Sequence, residues 1–299
     1  MDRLEELQVF LAILDAGGMA TAARKLKRSP PVITRVLANL EQRLGARLFE
    51  RSTRRLTPTE AGMRFSGQAR RVLSEYESAL EAHTTTPLRG MLRIAAPVVF
   101  GRNHVTPMVM RFLNRYAEIT ADLVLADRNA DLIDEGIDAA FRIGHLPDSS
   151  LVARKLGEVR RIVVASPAYL KRKGTPSRPA ELATHDIVLG TTIRPLPEWR
   201  FRHKGKETTV RFAPRLQLSD VEATINAART GFGIARVLSY QVARDLKQGK
   251  LVRLLQAYEA APSPVHLVMP SARHLTLRLR TFVDFTVEDF AALDVLHER

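Results

Sequence analysis

Ten basic side chains fall between residues 24 and 55: Arg24, Lys25, Lys27, Arg28, Arg35, Arg43, Arg47, Arg51, Arg54 and Arg55. The same stretch holds two acids, Glu41 and Glu50, so its net charge is +8 out of +14 for the whole chain. More than half of the charge therefore sits in about a tenth of the 299 residues. Cations at that density suit phosphate, because each phosphate neutralised releases condensed counterions. A uniformly basic composition would not place them together.

Chemistry of other kinds finds little support. There is no Gly-x-Ser-x-Gly elbow, no phosphate-binding Walker loop and no His-Glu-x-x-His zinc motif. The eight histidines are scattered, and the absence of cysteine excludes disulfides, thiolate metal sites, iron–sulfur clusters and thiol switches. No enzyme activity, cofactor or metal is expected. Gly231-Phe232-Gly233 has the look of a phosphate loop, but it follows a helix and precedes a strand, the wrong order for a dinucleotide fingerprint.

The basic cluster needs elements to hold it. Leu4, Leu7, Phe10, Leu11 and Leu14 form one helical stripe, stopped by Gly17-Gly18. Met19, Ala22, Ala23 and Leu26 form a second, with small residues that let another helix approach. Ser29 offers a cap and Pro30 a first turn for a third helix, whose buried face is Ile33, Leu37, Leu40 and Leu44. Its other face carries Thr34, Arg35, Ala38 and Asn39. This is a helix-turn-helix pattern. Residues 47–51 and 55–57 read as a small hairpin, a wing, and Thr57-Pro58-Thr59-Glu60 as a capping box opening a long helix. Phe65, Ala69, Val72, Tyr76, Ala79 and His83 alternate at spacings of four and three, the seam of a two-stranded coiled coil.

From residue 91 the pattern changes to alternating strands and helices, closing on a long amphipathic helix over 275–292. Such alternation predicts α/β architecture with mostly parallel sheets, and a ligand site outside the carboxyl ends of the strands. The fold class expected is α/β behind an all-α, winged N-terminal domain. We read residues 1–60 as the winged helix-turn-helix, 61–87 as a dimerising linker helix and 88–299 as an effector domain. Within it, 88–163 and 266–299 would form one subdomain and 164–265 the other.

Ala22-Ala23-Arg24-Lys25-Leu26, the run from Ser29 to Arg35, Leu40-Glu41, Leu44 to Phe49, Arg51 and Thr57-Pro58-Thr59-Glu60-Ala61-Gly62 resemble the signature of LysR-type transcription regulators. Gly90 to Ile94, Leu132 to Asp138, Ser166 to Leu170 and Gly231 to Ala235 resemble the sensor domain of that family. The resemblance spans essentially the whole chain. It implies a homodimer or homotetramer that binds double-stranded promoter DNA, with an effector held between two Rossmann-like subdomains. It places Ser29, Pro30, Pro31, Val32, Thr34, Arg35 and Asn39 on a recognition helix in the major groove, and Arg51, Arg54 and Arg55 on the wing. Pro30 stands where many members carry Gln, so base reading there passes to neighbours.

For the effector, the resemblance points to Val98, Val99, Phe100 and Gly101 as a cleft-facing loop, with the next helix terminus offering amides to an anion. Arg142, Ile143 and Gly144 would face it, and Leu189, Gly190, Thr191, Thr192, Ser219 and Ile234 would line the second subdomain. Apolar residues at 98–100 suit a partly apolar metabolite or a carboxylate. RNA polymerase is a further candidate partner. The first six residues lack the order of a secretory signal and no apolar run reaches membrane-spanning length, so a cytoplasmic protein without a membrane partner is expected. The alternatives are a bilobed solute-binding protein, disfavoured by the winged helix, or an enzyme with an accessory DNA-binding domain, disfavoured by the missing catalytic constellation.

Overall fold

The computed structural model describes residues 2–51, 56–81, 88–128, 131–146, 151–191, 197–270 and 275–297, with backbone alone at 51, 74 and 77–81. Its N-terminal unit is α1 (Arg3–Ala16), α2 (Met19–Lys25), α3 (Pro30–Leu44), then β1 (Phe49–Arg51) and β2 (Leu56–Pro58). Phe10 is the centre of its core, with ring centroids 5.5 Å from Phe49 and 5.3 Å from Phe65. Val9 and Ile13 are buried alongside the expected stripe, because α1 is covered on a second side by α4 (Glu60–Glu81). On α3, Ile33, Leu37 and Leu40 are buried as the spacing predicts, while Leu44, at the end of the helix, is 41% exposed.

Two local details differ from the sequence reading. Ser29 occupies the cap position of α3 but its side chain makes no capping hydrogen bond. Pro30 and Pro31 have no N–H, and the Val32 N–H donates instead to the Ser29 carbonyl at 3.0 Å. At the start of α4 the cap is Thr59 rather than Thr57, since the Gly62 N–H donates to Thr59 Oγ1 at 2.9 Å and Pro58 belongs to β2. Gly62 is required there, because a Cβ would collide with the Leu48 carbonyl. The start of the linker helix is thereby pinned to the wing.

The rest of the chain forms two lobes, each built on a five-stranded sheet. In the first, β3 (Gly90–Ala96), β4 (Ile119–Leu125) and β5 (Ala139–Ile143) are joined by β6 (Val152–Val159), and the chain then crosses to the second lobe. The connection after β3 is α5 (Val98–Phe100), a π turn over Gly101–Val105 and α6 (Thr106–Arg115). The second lobe contains β7 (Arg161–Ala165), α7 (Pro167–Lys173), β8 (Ile187–Gly190), the hairpin β9 (Glu198–His203) and β10 (Lys206–Arg211), β11 (Leu216–Leu218), α8 (Val221–Arg229), β12 (Ile234–Leu238), α9 (Ser239–Lys247) and β13 (Val252–Leu254). The chain then returns through β14 (Ser263–Met269) and ends in α10 (Leu277–Ala291) on the first lobe.

The sheet orders are β4-β3-β5-β14-β6 and β11-β8-β12-β7-β13. Each is half parallel and half antiparallel rather than mostly parallel. The antiparallel members are the strands that carry the chain between lobes without a helical crossover. Strand β7 belongs to the second lobe from Arg161 onwards and β14 to the first from Ser263. The two crossings thus fall slightly before the boundaries expected at 163 and 265.

Candidate nucleic-acid interface and interlobe cleft

Helix α3 presents Ser29, Pro30, Pro31, Arg35 and Asn39 to solvent. Val32 is half-buried against the core, and Thr34 Oγ1 donates to the Pro30 carbonyl at 3.1 Å. The outermost part of the helix is therefore Ser29, Arg35 and Asn39, with two prolines fixing its first turn. Glu41 ties this helix to the wing: its carboxylate accepts from the Leu48 N–H at 2.7 Å and the Phe49 N–H at 3.3 Å. One of the two acids in the basic stretch therefore has a structural task.

Not all the cations are available. Arg28 is paired with Glu5 at 3.0 Å, and Arg43 with the buried Glu6. Arg24, Lys25, Lys27, Arg35 and Arg47 are exposed and have no ion pair among the described residues. Arg51 has its backbone in β1, and Arg54 and Arg55 lie outside the described residues. The result is an exposed surface of unneutralised charge on one helix, its turn and the start of the wing.

Between the two lobes lies a cavity of about 360 Å³. The first lobe contributes Ala95, Ala96, Pro97, Phe141, Arg142 and Ile143; the second contributes Arg161, Leu189, Trp199, Arg236, Val237 and Leu238. Tyr240 and Gln241 close one side. Of the residues expected to bind an effector, Arg142, Ile143, Gly144, Leu189 and Gly190 are in the wall, and Thr192 lies outside the described residues. Val98, Val99, Phe100 and Gly101 are not in the wall.

That difference has a clear cause. The segment is helical from Val98 and turns its apolar side chains into the lobe. Phe100 is fully buried, with ring centroids 5.2 Å from Tyr240 and 5.9 Å from both Phe141 and Phe290. Gly101 is buried where a side chain would run into Leu125 and Ala96. The first amide of the helix is already taken, since the Val98 N–H donates to Asp127 Oδ1 at 3.0 Å. A helix terminus capped by its own carboxylate is a poor receptor for a second anion. On the other lobe, Ile234 is fully buried in the core beneath β12, Ser219 is exposed beyond β11, and the wall stops at Gly190, one residue before Thr191.

The sequence reading missed Arg161, Trp199 and Arg236. The available signal was an arginine inside an otherwise apolar strand, Ile234-Ala235-Arg236-Val237-Leu238, and another at the head of Arg161-Ile162-Val163-Val164-Ala165. Strand register puts them together: Arg161 pairs with Leu238 and Val163 with Arg236, so the two arginines are diagonal neighbours on one face. Arg236 Nη2 donates to the Arg200 carbonyl at 2.9 Å, and its guanidinium lies 5.3 Å from the Phe201 ring centroid. Burial, reinforced by the neighbouring Arg161 charge, pulls Arg236 down to about 10; burial also lowers Arg161. Arg161 is exposed and Arg236 half-buried.

Two family models cover the chain: the bacterial regulatory helix-turn-helix of the lysR family over residues 4–63, and the LysR substrate binding domain over 85–291. The chain belongs to the LysR family of transcription regulators. Among LysR relatives, the regulator CrgA of Neisseria meningitidis serogroup C is 33% identical over 95% of this chain and 96% of its own length. The solved structure of CrgA covers 97% of this chain and 99% of that one, with 32% identity and a TM-score of 0.61. The full-length structure of AphB, a virulence activator of Vibrio cholerae, covers 96% and 99% with 30% identity and a TM-score of 0.63. The relatives are transcriptional regulators rather than enzymes, and this LysR-type chain has the same two parts, a DNA-binding helix-turn-helix and a substrate-binding domain. No single described helix is long and apolar enough to cross a membrane.

Proposed function

We propose that this LysR-type regulator reads promoter DNA through α3 and adjusts its grip when a small, partly apolar metabolite or carboxylate enters the interlobe cavity. The observation that supports it most directly is the outer surface of α3, where the Ser29 hydroxyl makes no cap bond and Arg35 has no acidic partner among the described residues. Ser29, Arg35 and Asn39 would meet base edges, with Pro30, Pro31, Val32 and Thr34 shaping the approach. Arg51, Arg54 and Arg55 would hold backbone from the wing. Replacing Arg35 by Ala is expected to cost the specific promoter about 1–3 kcal/mol more than it costs random DNA, read by gel-shift titration. Equal losses on both DNAs would remove Arg35 from base reading.

Residues 1–60, 61–87 and 88–299 act as reader, linker and sensor in this proposal, in a cytoplasmic homodimer or homotetramer that addresses RNA polymerase at the promoter. The linker supplies the dimer contact, but only part of the expected seam is free. Phe65 packs on Phe10, and Ala69 is buried in the DNA-binding unit. Val72 and Tyr76 are 49% and 48% exposed, one turn apart on the same side of α4. The side chain of Ala79 and residue His83 lie outside what the structure describes. A carboxylate introduced as Val72→Glu would face its own symmetry mate. Light scattering should then show the linker dimer dissociating, and promoter binding should weaken as the half-sites separate. A Val72→Glu protein that stays associated and binds normally would refute this seam.

A further inference from the structure

Arg161 and Arg236 face the cavity without an ion pair of their own among the described residues, in a wall that also carries Asp127, Arg128, Arg142 and Glu198. Arg161 has no ion pair among the described residues. Arg236 has one hydrogen bond, to the Arg200 carbonyl, beside its contact with the Phe201 ring, and its buried Nε has no hydrogen-bond partner. Taking a guanidinium partly out of bulk water is costly unless an anion compensates, and the half-buried Arg236 has the exposed cation of Arg161 beside it on the same sheet face. Nearby carboxylates are already engaged. Asp127 caps α5, Glu198 is bonded to Arg211 at 3.3 Å and lies 3.7 Å from Arg200, and Glu259 holds Arg253 through two bonds of 2.7 and 2.6 Å.

The wall also includes apolar side chains, Phe141 and Ile143 of the first lobe and Trp199 of the second. A cavity of 360 Å³ is more than twice the roughly 150 Å³ that accommodates a benzene ring. We infer that the cavity takes a monoanionic carboxylate carrying an apolar body of about one aromatic ring, its carboxylate held between Arg161 and Arg236. The anion end thus sits on the second lobe, away from the helix terminus at Val98 that sequence resemblance suggested. This deepens, and rests on, the reading of the cleft as an effector site. It also supplies the coupling: a ligand gripped at its head by one lobe and at its body by the other binds the closed arrangement better than the open one, as any effector must.

Trp199 is the chain's one tryptophan and lies in the wall, so its emission reports on this cavity. The full-length protein is titrated with 3-phenylpropanoate and with 3-phenylpropanamide, which matches it in shape but is neutral. The acid should bind at least tenfold more tightly than the amide. Arg161→Gln and Arg236→Gln should each weaken the acid on the order of tenfold to a hundredfold and leave the amide unchanged, while Arg161→Lys restores part of the loss. An unchanged affinity for the amide shows that the variants remain folded. Acid and amide binding equally would overturn the anion anchor and leave an apolar effector cleft. No change in Trp199 emission with either compound at about 10 mM would overturn the ligand class. Loss of promoter binding by the wild-type protein would instead strike the regulator reading, with the acid titration unaffected.

Discussion

Raising salt from 50 to 200 mM should weaken promoter binding about a thousandfold. The expectation comes from counterion release: a slope of about −0.9 per phosphate, with roughly six contacts for a dimer, gives that loss across a fourfold change in salt. Each protomer has enough cations for its share. Arg24, Lys25, Lys27, Arg35 and Arg47 are exposed and without carboxylate partners among the described residues, whereas Arg28 and Arg43 are held by Glu5 and Glu6. Titrations at five or six salt concentrations measure the slope directly. Taking one cation per protomer off the phosphates, as in Arg47→Ala, should flatten it by about one unit for each phosphate set free and weaken all DNA sequences alike. A slope shallower than about −2 would mean that the basic surface does not lie on the duplex.

Phe100→Ala should destabilise the regulatory domain by about 3–5 kcal/mol, the cost of emptying a large aromatic site in a packed core. Phe100 is fully buried, and its ring touches those of Phe141, Tyr240, Phe290 and His104. Burial also holds His104 below its usual pKa, which disfavours its charged form in this cluster. Denaturant unfolding followed by Trp199 emission reads the loss. The DNA-binding unit has a separate core around Phe10 and should keep its affinity for DNA. Were Phe100→Ala to cost little stability yet abolish ligand binding, Phe100 would return to the cleft wall.

These two results depend on different kinds of information. The winged helix and its charge were legible in the sequence because they are local: a turn of helix fixes which residues share a face, and Ala22, Ala23, Ile33, Leu37 and Leu40 fall on the buried side by spacing alone. The helix starts were less legible, since capping depends on which N–H groups exist. With Pro30 and Pro31 lacking N–H groups, the Val32 N–H donates to the Ser29 carbonyl rather than to its side chain, and the strand ending at Pro58 moved the α4 cap to Thr59.

What the sequence determined by itself was the family, the two-part organisation, the place of the basic surface and the absence of catalytic motifs. Tertiary structure alone decided which side chains meet across the cleft. Val98 to Gly101 look like a site because they follow a strand, but a helix beginning at Val98 and the neighbours Leu125 and Ala96 turn them inward. Arg161 and Arg236 lie 75 positions apart in the chain. They become neighbours only through the antiparallel register of β7 on β12, and no periodicity within either strand encodes that pairing. The linker shows the same limit. Heptad spacing marked Phe65, Ala69, Val72 and Tyr76 as one apolar seam, and docking on α1 divided it into a half that packs at home and a half left for a partner. Local spacing fixes which face a residue is on, but what covers that face depends on chain segments distant in sequence.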